Sequence, residues 1–176
     1  MGKPKLYYWD SSVFIKFLND EEGADDVEYF LDEADQGDVV LIVSSFTPVE
    51  VLKLKNQKPI TKAEQNKIRE FFEKDYFRFV DLTRRVGESA QTLIWDYPGL
   101  WPKDAVHLAS AIQFERISGL HLDAIHSYDE HFLKLHGKLP TKAPIEKPLP
   151  PQGVMRKLLA QVEKRPKPKK RKKHSN

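Results

Sequence analysis

Cysteine is missing from all 176 residues, which excludes disulfides, thiolate metal sites and a cysteine nucleophile. Long apolar runs are missing as well. The longest uninterrupted aliphatic stretch is Val39–Val43, far short of the ~20 residues of a membrane-spanning helix. The segment Met1–Lys5 is basic, but no apolar run of the ~7–15 residues of a secretory signal follows it. The expectation is therefore a reducing, cytoplasmic compartment without a membrane partner. No segment repeats another. What is present suits a globular core: 40% of residues are hydrophobic and 11% aromatic, and the length fits one domain with an appendage.

The net charge of +3 conceals a segregation. Residues 163–176 carry eight Lys or Arg against Glu163 alone; subtracting them from totals of 29 and 26 leaves 21 basic and 25 acidic residues, or −4, over 1–162. A mildly acidic body thus ends in a strongly basic tail, a pattern of interaction arms and of solvated ends alike.

Apolar patterning predicts the elements. Lys5–Trp9 reads as a buried strand that passes through Asp10-Ser11-Ser12 into a helix over Val13–Leu18. Ala24–Ala34 carries Val27, Phe30, Leu31 and Ala34 on one helical stripe closed by Gly37. Val39–Val43 is a continuous aliphatic strand of the parallel-sheet kind, followed by a helix bearing Val49, Leu52 and Leu54. A helix over Thr61–Lys74 has Thr61 and Glu64 at capping-box spacing. Tyr76–Leu82 reads as a strand, Arg84–Tyr97 and Pro102–Ile117 as helices, Leu122–His126 as a strand and Glu130–Leu135 as a helical turn or two. The alternation predicts an α/β protein: a three-layer α/β/α sandwich with a central parallel sheet of four to five strands.

Five prolines punctuate residues 137–153, so this stretch should be extended. The expected organisation is a domain over 1–137, a proline-rich linker over 138–153, an amphipathic helix over 154–164 and a disordered basic tail over 165–176. Lys169, Lys170, Arg171, Lys172 and Lys173 are candidates for sequence-independent RNA phosphate contacts.

In an open parallel sheet, ligands bind beyond the carboxyl ends of the strands. Asp10 follows the first strand, Glu50 lies one turn past the second, Asp129 follows the fourth, and Asp104 opens the helix before it. Four converging carboxylates, without a compensating Arg or Lys in the motifs themselves, would need cations to remain ionised together. An oxygen-only donor set selects hard ions, Mg2+ or Mn2+, and such sites suit phosphodiester hydrolysis. Each acid alone also has a plain structural use: Asp10 and Asp129 as N-caps, Glu50 and Asp104 as first-turn acids.

The residues that carry these acids resemble the PIN domain, and within it the VapC-type toxins of toxin–antitoxin pairs. The matching pieces are Tyr8-Trp9-Asp10-Ser11-Ser12-Val13-Phe14-Ile15; Ser44-Ser45-Phe46-Thr47-Pro48-Val49-Glu50-Val51; Asp104-Ala105-Val106-His107-Leu108-Ala109-Ser110-Ala111; and Ser127-Tyr128-Asp129-Glu130-His131-Phe132. The third is the most specific, close to the family's Asp-Ala-x-His-Leu-Ala-x-Ala. The resemblance spans roughly residues 5–136 and implies a metal-dependent endoribonuclease, commonly dimeric, with RNA as substrate and a protein antitoxin as partner. By it, Asp10, Glu50, Asp104 and Asp129 form the catalytic metal site, supported by Ser12 and Ser127. A nuclease of RNA maturation without an antitoxin and a non-catalytic RNA-binding protein are the alternatives. The family's last strand has only Ala143–Leu149, interrupted by Pro144 and Pro148, to supply it.

Other residues have two readings. His107, three positions after Asp104, either reaches the metal's surroundings or packs beside Leu108 and Ala111, and packing is the expectation. His121, His126, His131 and His136 recur every five residues, which matches no regular periodicity and does not read as a zinc site. Trp95, Tyr97 and Trp101 bracket Pro98-Gly99; they are expected to cover the core rather than stack on RNA bases.

Overall fold

A computed structural model describes residues 2–51 and 61–151. The element order is β1 (Lys5–Trp9), α1 (Ser11–Leu18), α2 (Ala24–Asp35), β2 (Val39–Ser44), α3 (Thr47–Glu50), α4 (Lys62–Phe72), β3 (Phe77–Val80), α5 (Arg84–Asp96), α6 (Pro102–Ser118), β4 (Ala124–His126), α7 (Glu130–Leu133) and β5 (Ile145–Glu146). Leu52 and Leu54, the expected helix over 154–164 and the basic tail lie outside the described residues.

The five strands form one parallel sheet in the order β3-β2-β1-β4-β5. The strand that begins the chain therefore sits in its middle. Side chains alternate between the two faces, as the pleat requires. Leu6, Tyr8, Ile42 and Ile125 point to one layer, where α5 and α6 contribute Val86, Ala90, Leu93, Ala105 and Leu108. Trp9, Leu41, Val43 and Phe77 point to the other, against Phe14 of α1 and Val27, Phe30 and Leu31 of α2. Ile68, Phe71 and Phe72 of α4 pack on this second face. Helices cover both faces of the sheet, and the sandwich is the expected α/β/α one.

Caps fall where the sequence places them. Thr61 Oγ1 accepts from the Glu64 backbone N–H at 3.3 Å, and the Thr61 N–H donates to Glu64 Oε2 at 2.7 Å, completing the capping box. Gly119 ends α6 at φ 67°, a conformation glycine adopts without a Cβ penalty. Gly23, at φ 96°, precedes α2; its carbonyl accepts from the Tyr128 hydroxyl at 3.0 Å, and a Cβ there would meet that oxygen at 2.6 Å. The small residue lets the loop after β4 lie against the α1–α2 turn.

The proline-bearing stretch does more than lead away from the domain. Leu139, Ala143 and Ile145 are buried in the core, and Ile145–Glu146 pairs in parallel with β4. Two residues between Pro144 and Pro148 suffice because β5 is an edge strand, where proline's missing N–H is tolerated. Among the described residues, no helix is long and apolar enough to cross a membrane.

Candidate active site

The order of the sheet reverses at β1, which has β2 on one side and β4 on the other. The crevice beyond the carboxyl ends of these strands is where such folds place ligands. Asp10 stands directly at the end of β1 and is 2% exposed. It caps α1 by accepting the Ser12 N–H at 2.9 Å and also the Ser12 hydroxyl on the same oxygen, Oδ1. Its second oxygen, Oδ2, accepts from Ser127 Oγ at 2.7 Å. Ser127 follows β4, so one hydrogen bond ties the ends of two neighbouring strands. Ser127 Oγ in turn accepts the Asp129 N–H at 2.9 Å, and Ser12 Oγ accepts the Tyr128 N–H at 2.7 Å. Ser12 and Ser127 thereby fix both the carboxylate and the loop that carries Asp129.

Asp129 caps α7, accepting the N–H of His131 at 2.8 Å and of Phe132 at 3.4 Å on Oδ1. The capping reading of Asp10 and Asp129 holds, and in both residues it leaves a second oxygen aimed elsewhere. Asp129 Oδ2 bonds the Lys103 ammonium, which also lies 3.0 Å from Asp104 Oδ1. Asp104, 1% exposed, keeps that Oδ1 buried and outside hydrogen-bond geometry, while Oδ2 faces His131 Nδ1 at 3.2 Å. One lysine thus spans two of the four acids.

Glu50, at the end of α3, meets His107 of α6: Oε2 lies 2.5 Å from Nε2. A carboxylate only accepts, so Nε2 carries the hydrogen. In the neutral imidazole, Nδ1 is then left to accept the Tyr8 hydroxyl at 2.9 Å. His107 is 1% exposed, and this buried chain runs from the sheet to the crevice.

The four carboxyls differ in electrostatics. Burial pushes Asp10 above the usual carboxylate range, partly opposed by His107 and by the hydroxyls of Ser12 and Ser127. Burial would raise Glu50 too, but the hydrogen bond and charge of His107, with Ser11 and Lys103, bring it below its ordinary value. Asp129 likewise resists burial and is lowered by Lys103 and the α7 N–H groups. Desolvation disfavours the Lys103 charge, yet Asp129 and Asp104 outweigh it and hold the ammonium above its ordinary value.

Three of the four acids are therefore linked by hydrogen bonds and ion pairs, and the fourth, Glu50, reaches the crevice by its bond to His107 of α6. Asp10 and Asp129 join through Ser127, Asp104 and Asp129 through Lys103, and Glu50 through His107, one turn along α6 from Asp104. Among the described residues, no three His, Asp or Glu side chains are gathered to hold one metal ion. In kind, the donors fit a hard divalent cation: all are carboxylate oxygens, and positive charge is already drawn between Asp104 and Asp129 in the form of the Lys103 ammonium.

Two expectations change. Compensating charge is present within the motif, because Lys103, immediately before Asp104, folds back onto the acids. His107 does not merely pack; it is hydrogen-bonded at both ring nitrogens. His131 also belongs to the crevice, and its one signal in the sequence is its position two residues after a helix-capping acid. His126 is buried, and its Nδ1 accepts from Trp9 Nε1 at 3.0 Å; His136 Nδ1 accepts from the Ile145 N–H at 3.0 Å. Neither faces the crevice acids in these bonds. The basic residues Lys169–Lys173 lie outside the described residues.

Solved structures with this fold include the VapBC2 complex of Rickettsia felis bound to a DNA fragment from its promoter. It matches with a TM-score of 0.57 at 14% identity, covering 81% of this chain and 98% of that one. VapC20 of Mycobacterium tuberculosis, a sarcin-ricin loop cleaving toxin, matches with a TM-score of 0.54 at 16% identity, covering 72% and 92%. At these identities the likeness is one of fold. No curated protein sequence matches the chain. The PIN domain profile, however, matches residues 7–138, most of the chain and every acid of the crevice, and the chain belongs to the PIN domain family.

Proposed function

We propose that the protein is a metal-dependent endoribonuclease acting as the toxin of a toxin–antitoxin pair, with Asp10, Glu50, Asp104 and Asp129 as its catalytic metal site. The reading rests on one observation above all. In a chain of the PIN family, Asp10, Asp104 and Asp129 are joined through Ser127 and Lys103 beyond the carboxyl ends of β1 and β4, and Glu50, after β2, bonds His107 one turn along α6 from Asp104. The RNA-cleaving activity of VapC20 and the toxin–antitoxin complex of VapBC2 support extending it to RNA and to a protein antitoxin. A second copy of the chain is the further partner that the family resemblance implies.

The four carboxylates would hold Mg2+ or Mn2+, which when bound supplies Lewis acidity for activating water and stabilising the departing oxygen. The chain's own residues prepare the site. Ser12 and Ser127 fix both oxygens of Asp10. His107 holds Glu50 ionised and oriented, with Tyr8 fixing the imidazole behind it. Lys103 offsets the mutual repulsion of Asp104 and Asp129. Incubating the protein with total RNA, with Mn2+ or with EDTA, tests the reading: fragments are expected only with metal, and intact RNA under both conditions would overturn it.

Lys103→Met is expected to destabilise the metal-free protein. Removing one partner of a buried ion pair costs about 3–5 kcal/mol. The Lys103 side chain is 37% exposed, so solvent reduces this to about 1–2 kcal/mol, a fall in Tm of about 3–6 °C at this chain length. Adding Mn2+ should then raise the Tm of the variant more than that of the wild type. An equal rise in both proteins would show that the lysine does not compete with the ion.

Deleting residues 165–176 is expected to weaken RNA binding several-fold and to flatten its salt dependence. Each phosphate that the shortened chain no longer neutralises lowers the slope of log K against log salt by about 0.7 for a single strand. An unchanged slope would mean that Lys169, Lys170, Arg171, Lys172 and Lys173 are solvated bystanders.

A further inference from the structure

We propose that the outer face of Trp101 is a stacking site for an unpaired nucleobase of the RNA strand, beside the phosphate that the acids address; the inference rests on the ribonuclease reading above. Trp101 was expected to cover the core, yet it is 53% exposed. Its backbone is extended, at φ −79° and ψ 153°, and Pro102 follows it as the first residue of α6. Proline restricts both residues, so the indole projects from a fixed point at the crevice rim.

One face of that indole is already taken. His131 stacks on it with ring centroids 4.2 Å apart and planes 23° from parallel. His131 is held in turn by two acids: its ring Nδ1 faces Asp104 Oδ2 at 3.2 Å, and its backbone N–H donates to Asp129 Oδ1 at 2.8 Å. The imidazole therefore covers one face of the indole while its edge meets Asp104, and the exposure of Trp101 leaves the other face for a ligand. A large aromatic face kept in water at such a place forgoes burial that would stabilise it, and a planar ligand would recover it. Trp95 of α5, 69% exposed, borders a separate hollow with Ala90, Ile94, Pro102 and Val106.

The chemistry favours a nucleobase over other planar ligands. Whatever is cleaved must place a phosphodiester at Asp104 and Asp129, with Lys103 Nζ beside both. The base of an adjoining nucleotide is then the planar group closest to Trp101. Stacking accepts any base, since each has a π-face, so the site should favour unpaired over duplex RNA and discriminate weakly among bases.

Full-length protein in EDTA, titrated with labelled single-stranded RNA and followed by anisotropy, tests this. The same RNA carrying one abasic nucleotide on either side of the mapped cleavage position provides the partner measurement. Alanine substitution of a stacking aromatic weakens binding about 5- to 150-fold. Trp101→Ala is expected to lose about tenfold on intact RNA, and the wild type about tenfold when one abasic position is introduced. Trp101→Ala should be indifferent to that abasic position, and Trp101→Phe should retain most of the affinity. Ile117→Ala, at the far end of α6, should bind as the wild type does. Should Trp101→Ala fail to fold, Trp101→Leu, which fills the space without a flat π-face, takes its place: loss of the abasic penalty in that variant supports the site and an undiminished one overturns it. A wild type that senses no abasic position overturns it too, as does a full abasic penalty in Trp101→Ala. Cleavage by the wild type in Mn2+ separates the failures: without it the ribonuclease reading falls, and with it only the stacking site does.

Discussion

Asp104→Asn is expected to lower metal-dependent RNA cleavage on the order of a thousandfold while leaving the fold intact. Asp104 is almost fully buried, and its Oδ1 is met by the Lys103 ammonium at 3.0 Å. Asparagine keeps the shape and an oxygen that can accept from His131 Nδ1, but it removes the charge. A Lewis-acidic ion supplies several kcal/mol of transition-state stabilisation, and losing about 4 kcal/mol of it corresponds to roughly a thousandfold in rate. Stability should change little, because Lys103 keeps Asp129 as its partner. Initial rates in Mn2+, with thermal melts alongside, measure both. Turnover within tenfold of the wild type would remove Asp104 from the site.

The second large effect is on stability and comes from His126. Its ring is buried between Tyr7, stacked at 4.5 Å, and Phe30, edge-on at 4.9 Å, and Nδ1 accepts the Trp9 indole N–H. Burial pushes its pKa down to about 3 in the folded chain, against about 6.5 unfolded. Between those values the unfolded chain binds a proton that the folded chain refuses. The contribution to stability is complete above pH ~6.5 and is lost as pH falls toward 3, by up to about 1.4 kcal/mol per unit. At pH 5 the loss reaches about 2 kcal/mol. Asp10, raised by burial, works in the opposite direction, and the lowered Glu50 and Asp129 act only in stronger acid. Melts of the wild type and His126→Asn from pH ~7.5 to ~5 isolate the histidine, since asparagine can accept from Trp9 without titrating. Parallel curves for the two proteins would refute it.

The alternation of elements is legible in the sequence because each helix and strand of the sandwich carries its own apolar period. The capping box at Thr61 and Glu64, the turn at Gly119 and the aliphatic run of β2 are local features, and local patterning is enough to find them. The motif from Asp104 to Ala111 is legible for the same reason. The partners of the acids are not. Lys103 precedes Asp104 in sequence, but its bond to Asp129 depends on where α7 lies. His131 follows no periodicity because its role is set by the approach of α7 to the start of α6. β5 is legible only as the proline-interrupted stretch Ala143–Leu149 that the family resemblance calls for, since three residues between prolines carry no period of their own. Its place beside the Pro98-Gly99 turn assigns Trp101 to the cover of the core, whereas the folded chain leaves it half exposed beside His131.

The place of β1 in the sheet has a consequence for synthesis. The first of the five strands is flanked on one side by β4, and the bond that joins Asp10 to Ser127 spans 117 positions. A chain halted before Ala124 has no second neighbour for β1 and lacks the last acid. On the ribonuclease reading, such a truncated chain is expected to show no metal-dependent cleavage.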